Sequence, residues 1–277
     1  MMCKTEHMLE EEAHVLALAN KEGLPARMLS AEEVQQKMPN AKLDIKGAAF
    51  YECDHHTTPG EFMEELKTLL QAKGVHFVKN EKVIDFDSSS DTLSNVKTAS
   101  GKTFVADEVI LATGAWAGEL NKKLGLKILM QAGKGYRINS TTETGITLPS
   151  ILCEAKVAVT PMNGFTRFAG TMEIAGINHN INKARVEAIA EAVPRYFKNV
   201  VITEQEKDEA QCGLRPVTPD GLPYIGRPSK WKNLTIAAGH AMMGWSLGPG
   251  TGLLVSEIID GKKPSLDLSV YNPDRRF

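Results

Sequence analysis

The sequence lacks most of the features that mark a specialised class of protein. Its four cysteines (Cys3, Cys53, Cys153, Cys212) lie far apart in 277 residues, with no C-x-x-C, a pattern that excludes a disulfide framework and a spaced zinc site. No apolar run approaches the roughly 18 residues of a membrane-spanning helix. Residues 1–13 are too polar for a signal peptide. Charge of one sign is not in excess either: the formal net charge is −2, so no long-range field holds a polyanion and nucleic acid is not expected as a partner. G-x-S-x-G, H-E-x-x-H and Walker A patterns are missing, and so is G-x-G-x-x-G. His55 and His56 are adjacent, so on a strand they point to opposite faces and make a poor metal pair. No metal site is expected.

What remains is ordinary globular composition, 42% hydrophobic and 24% charged, which argues against disorder and for a full core. The expected class is a soluble, cytosolic, mixed α/β protein. Alanine and leucine at helical spacing predict a helix over 10–21. Ser30 with Glu33 is a capping box for a helix ending before Pro39. Thr58, Pro59 and Glu61 open another helix with Phe62, Leu66, Leu69 and Leu70 on one face, stopping at Gly74. Strands are expected at 75–78, 82–86, 95–98, 102–105 and 108–112, the last ending in Thr113-Gly114 before a helix from Ala115. A β-rich stretch at 127–171 precedes a helix at 183–197. A strand at 207–214 leads to a proline-rich turn at 215–223. A strand at 233–238, a glycine-rich loop at 239–252 and a helix at 253–260 complete the pattern. Helix and strand mix without strict βαβ alternation, which points to interleaved layers.

Three segments are unlike generic core. In 109–116 an apolar strand ends in Thr-Gly and turns toward a helix, exposing backbone N–H groups where α/β sheets often bind ligands, although a plain tight turn reads equally well. In 212–226 a single arginine, Arg215, sits among prolines that stiffen the chain. It either binds a carboxylate bidentately or pairs with a structural acid such as Asp220. In 239–252 glycines precede an apolar helix and allow a ligand to approach its positive end. His240 reads as a hydrogen-bonding or packing residue before it reads as a base. Met242 and Met243 read as pocket lining or core.

Taken in order, 213–226, Lys232-Asn-Leu, Gly239-His240, Gly244-Trp245, 248–252, Ile258-Ile-Asp-Gly261 and the closing Pro273-Asp-Arg-Arg-Phe277 resemble the FAD-dependent D-amino-acid oxidase superfamily. The bacterial D-amino-acid dehydrogenase branch is the nearest likeness and glycine oxidase the second. Lys134-Gly-Tyr136, Arg167–Gly170 with Thr171-Met-Glu173, and 54–70 fit the same order. The resemblance implies an α/β (α+β mixed), interleaved two-domain oxidoreductase fold, with 54–126 and 213–277 as the remainder of an FAD-binding domain and 1–53 and 127–212 as a substrate-binding sheet domain. The family's G-x-G-x-x-G segment has no counterpart, so the chain is read as truncated at the N-terminus, whether as a shortened gene product, a misassigned start or one part of a split enzyme.

The resemblance further implies oxidative deamination of a D-amino acid to a 2-oxo acid and ammonia, with hydride passing from the α-carbon to flavin N5 and no protein nucleophile. Arg215 is then the substrate carboxylate ligand, Tyr136 a pocket wall or second carboxylate contact, and Met242 a pocket residue where glycine oxidases carry a charge. Val83, Thr113, Gly114, Gly239, His240, Gly250, Thr251 and Gly252 lie along the FAD, with the glycine-rich helix start near its pyrimidine edge. The electron acceptor is a quinone or oxygen, and a quinone implies attachment at the inner membrane face. The alternatives are an inactive or partner-dependent fragment that binds no FAD alone, completed by an oligomer or complementing chain, and a glycine or sarcosine-type oxidase.

Overall fold

The computed structural model describes residues 1–277. The chain runs β1 (Met2–Cys3), α1 (Glu6–Lys21), β2 (Ala26–Ser30), α2 (Ala31–Lys37), β3 (Gly47–Tyr51), α3 (Pro59–Ala72), β4 (Val83–Ser89), β5 (Thr92–Thr98), β6 (Thr103–Val105) and β7 (Val109–Leu111). It continues α4 (Asn121–Leu124), β8 (Gln131–Ser140), β9 (Ser150–Leu152), β10 (Val157–Met162), β11 (Phe165–Ile174), α5 (Lys183–Tyr196), α6 (Glu204–Asp208), β12 (Gln211–Val217), β13 (Tyr224–Gly226), β14 (Leu234–Ala238) and α7 (Gly244–Ile259). It folds as two units: unit 1 comprises Met1–Val75, Gly135–Met172 and His179–Gly213, and unit 2 comprises His76–Lys134, Glu173–Asn178 and Leu214–Phe277. Residues 54–75, grouped in the sequence reading with the cofactor domain, fall in unit 1.

The largest sheet has the order β12-β8-β11-β10-β9-β1-β3-β2. Alternation along its strands sends Tyr136 and Ile138, Val157 and Val159, and Phe168 into one core. Helix α5 supplies Val186, Ile189, Ala190 and Val193 to that core at helical spacing. Its N-cap is Asn182, whose side chain takes the Ala184 N–H at 3.2 Å. The Ser30–Glu33 capping box forms as expected, with both reciprocal bonds present. Asp44 fastens this unit at the surface, accepting from Lys198 and Lys4, each at 2.8 Å. Those two ammonium groups hold its carboxyl down at about 2. A lowered carboxylate contributes stability above its ordinary range and loses it as pH falls. Asp44→Asn is therefore expected to narrow the gap in urea midpoint from the parent as pH drops from about 5 to about 2.

Unit 2 contains the sheets β13-β14-β7 and β4-β5-β6. Strand β14 runs parallel to β7, with Leu234 opposite Val109. Asn233 joins the two sheets: its Oδ1 accepts from Leu93 N–H at 2.8 Å, and its Nδ2 donates to the Leu93 and Asp107 carbonyls. Arg227 holds Glu108 bidentately at 2.9 and 2.8 Å, pinning the start of β7.

Several expectations are corrected. Residues 75–78 form no strand, because an isolated β-prone run without a partner ladder gains no pairing or burial. Helix α1 starts earlier than expected, at Glu6, because the Thr5 hydroxyl caps the Met8 N–H. Thr58 precedes α3 without capping it, since its hydroxyl accepts from Asn163 N–H at 3.1 Å. No residue of α3 is buried, and its apolar face is open at Phe62 and Leu69. The stretch before β12 is helix, because Thr203 and Glu206 form a second capping box. Arg215, Pro216 and Val217 lie in β12 and not in a turn. A short 3₁₀ helix, Gly114–Leu120, follows β7 in place of an immediate α-helix.

Candidate active site

The site is built where β12, the loop after β14 and helix α7 meet within unit 2. Gly239 leaves β14 at φ +97°, a left-handed conformation that suits glycine, and a Cβ there would stand 2.7 Å from Thr218 Cγ2. Gly239→Ala is expected to displace this loop and to lower the thermal midpoint, by about 1–3 kcal/mol of stability. Differential scanning calorimetry checks it. Ala241 also has positive φ, +46°. Its N–H donates to the Pro216 carbonyl at 3.0 Å, which ties the loop to the residue beside Arg215. The neighbouring turn closes through Met243 N–H to the His240 carbonyl, and Leu247 N–H to Met243 continues it as helix.

Helix α7 therefore starts at Gly244, and the expected loop at 239–252 is corrected. Pro249 removes one helical donor. Thr251 compensates close by, its hydroxyl donating to the Leu247 carbonyl at 2.9 Å. That leaves the hydroxyl oxygen to accept from His240 Nε2 at 2.8 Å. Burial pushes the His240 pKa down. The N-terminal end of α7 is therefore its turn at Gly244, and not Gly250–Gly252.

Arg215 is half-buried on β12, and burial pushes its guanidinium below its ordinary value. The structural partner considered for it, Asp220, is instead held by Arg275 through Nε at 2.9 Å and Nη2 at 3.1 Å. Val217, two residues on, lines a cavity of about 720 Å³ with Met130, Gln131, Ile177, Thr218 and Asn121. Asn121 Nδ2 donates to the Ile128 carbonyl at 2.7 Å, while its buried Oδ1 has no hydrogen-bond partner. Sequence reading missed Asn121, Met130 and Thr218. The first two carry no local signal, and Thr218 lies inside a segment read only for its arginine.

The other expected site residues are spread more widely. Met242 is 71% exposed. Gly250 and Gly252 sit on α7 with open space where a Cβ would stand, as does Gly248. Thr113 and Gly114 follow β7, Gly114 at φ +55°. Val83 opens β4, in the other three-stranded sheet. Tyr136 is fully buried in the core of unit 1. Two motifs of the sequence meet in unit 2: Lys134 Nζ lies 3.0 Å from Glu173 Oε1 and donates to Asn178 Oδ1 at 2.8 Å.

The fold has close parallels. Glycine oxidase from Geobacillus kaustophilus superposes with a TM-score of 0.88 at 22% identity, over 100% of this chain and 74% of that one. L-proline dehydrogenase from P. horikoshii gives 0.84 at 21% identity, over 98% and 74%. Both are likenesses of fold. By sequence, the D-amino acid dehydrogenase of Azorhizobium caulinodans is 31% identical over 97% of this chain and 66% of its own length. That of Helicobacter pylori is 33% identical over 84% and 56%. The chain thus spans about 56–66% of the length of these relatives. The family model described as FAD dependent oxidoreductase matches residues 2–258. With that match over most of its length and the same fold, the chain belongs to the FAD-dependent oxidoreductase family.

Proposed function

We infer that the protein oxidatively deaminates D-amino acids to 2-oxo acids and ammonia with FAD as cofactor. The observation that carries this reading is the 31% identity to a D-amino acid dehydrogenase across 97% of the chain. A half-buried arginine held beside the Gly239–Ala241 loop supports it.

The residues present fit a flavin. Gly248, Gly250 and Gly252 leave open backbone along α7, and glycine within a helix costs about 1 kcal/mol relative to alanine. Gly248 and Gly252, four residues apart on one face of the helix, leave room for a ligand to lie against the backbone there. When bound, FAD supplies the two-electron acceptor for the α-carbon hydride. Arg215 holds the substrate carboxylate through its planar fork, and Pro216 behind it limits the backbone freedom that would blur the alignment. The first turn of α7 presents the positive end of its dipole. His240 keeps Thr251 and the loop in register through its 2.8 Å contact with the Thr251 hydroxyl. Val83, Thr113 and Gly114 retain their proposed roles as cofactor contacts, while Tyr136, turned into the core, is not exposed as a pocket wall. Unit 2 is assigned to the cofactor and unit 1 to the substrate sheet.

Met242, apolar and exposed, selects apolar substrate side chains. D-leucine is expected to be turned over better than glycine. Equal rates for glycine and D-alanine, with no gain for larger apolar side chains, contradict that assignment and favour the glycine oxidase type. The acceptor is a quinone or oxygen. No helix is long and apolar enough to cross a membrane, so use of a quinone means peripheral attachment at the inner membrane face, and oxygen suits a cytoplasmic enzyme.

One observation favours a second reading. Ile110, Trp245, Leu247 and Leu253 of unit 2 are large, apolar and exposed, as expected of a surface covered by a complementing chain. In that case flavin is retained only in the assembly. The discriminating experiment measures 2-oxo acid and ammonia formed from D- and L-alanine with added FAD and an artificial acceptor. Product from the D-isomer alone supports the reading, and none from either isomer while FAD remains bound contradicts it.

A further inference from the structure

We propose that unit 1 carries a binding pocket for a small monocarboxylate, built on Arg137 with Arg167 beside it on the neighbouring strand. The two arginines lie on β8 and β11, neighbours in the large sheet. Arg137 stands between Tyr136 and Ile138, and Arg167 beside Phe168, all three apolar neighbours belonging to the core. By alternation, both guanidinium groups therefore point to the opposite face. Neither meets a carboxylate. Arg137 Nη2 donates to Gln211 Oε1 at 2.6 Å, and Arg167 Nε donates to Asn139 Oδ1 at 3.0 Å. Arg137 Nε is buried without a hydrogen-bond partner. A pocket of about 370 Å³ opens here, lined by Arg137, Asn139, Glu209 and Gln211.

The charge arrangement is unfavourable as it stands. Burial and then the Arg137 charge push the Arg167 guanidinium below its ordinary value. A bound anion relieves that repulsion and satisfies the remaining donors. The donor set selects its chemistry. With their oxygens taken by the arginines, Asn139 and Gln211 have their NH₂ groups left as further donors. Glu209, at the rim, accepts from Gln205 Nε2 at 2.9 Å and offsets one of the two positive charges. The balance suits a singly charged planar carboxylate and disfavours a phosphate dianion.

The test is calorimetric titration of the protein with propionate, pyruvate and inorganic phosphate at constant ionic strength. It is run on the parent chain and on Arg215→Leu, so that carboxylate binding at Arg215 is removed and the outcome is independent of the flavin reading. Saturable propionate or pyruvate binding in both proteins is expected, weakened about tenfold or more in Arg137→Gln and Arg167→Gln. Arg137→Lys keeps the charge, loses the fork and is expected to be weakened as well. Phenylglyoxal labelling of the parent, read by peptide mass, avoids dependence on variants that fail to fold: propionate is expected to protect Arg137. Undiminished binding in the Arg137 and Arg167 variants, tighter binding of phosphate than of propionate, or unprotected Arg137 overturns the proposal.

Discussion

Replacing Arg215 with leucine is expected to lower kcat/KM for D-alanine by about two to three orders of magnitude. Truncating one partner of a buried, hydrogen-bonded charge pair costs about 2–5 kcal/mol, and each 1.4 kcal/mol is a factor of ten. Much of the loss belongs in KM, because the carboxylate is bound in the ground state as well as in the transition state. Arg215→Lys is expected to fall between the two, since an ammonium keeps the charge but not the two parallel N–H donors. Steady-state kinetics on all three proteins checks this ordering. A lysine variant as impaired as the leucine variant points to a packing role for Arg215. An unimpaired leucine variant removes Arg215 from the substrate site.

The second large effect is on stability. Lys134 is 3% exposed and its partner Glu173 16% exposed, in side-chain terms. Lys134→Ala takes this cation away from a mostly buried carboxylate, and the expected cost is about 3–5 kcal/mol in urea unfolding. Replacing both residues, as Lys134→Met with Glu173→Leu, removes the uncompensated charge and is expected to recover most of that loss. If the double variant is as unstable as the single, the packing of the lysine stem matters more than the ion pair.

The fate of individual expectations follows the range over which each signal acts. The Ser30–Glu33 box and the Thr58–Pro59 start depend on a few adjacent residues, and α2 and α3 begin where those residues stand. The hydroxyl of Thr58 nevertheless serves Asn163, a partner more than a hundred positions away that no local pattern announces. Residues 75–78 have strand-forming side chains and no strand beside them, so propensity without a ladder fails. Four glycines and a proline in 244–252 read as loop, yet the turn at His240–Met243 and the Thr251–Leu247 bond carry a helix through them.

Around the proposed site, the backbone features at Pro216 and at the left-handed Gly239 were legible because each makes a demand that few residue types satisfy. Asn121 and Met130 were not legible, since their place on the cavity depends on how β7, α4 and β8 pack. Asp220 is held by Arg275, which comes near it only when the chain is folded, so no local pattern could tell that this carboxylate is taken. Lys134-Gly-Tyr136 and Thr171-Met-Glu173 were recognised as separate segments, and the salt bridge that joins them is long-range.

The central claim is that this chain holds a flavin able to accept electrons from a D-amino acid. It is tested most directly by the visible absorption spectrum of the purified protein after addition of FAD and removal of free cofactor. The expected result is a retained flavin spectrum that bleaches anaerobically with D-alanine and stays unchanged with L-alanine. A protein that retains flavin but is bleached by neither isomer contradicts the assigned substrate. A protein that retains no flavin, alone or as an oligomer, contradicts the claim itself.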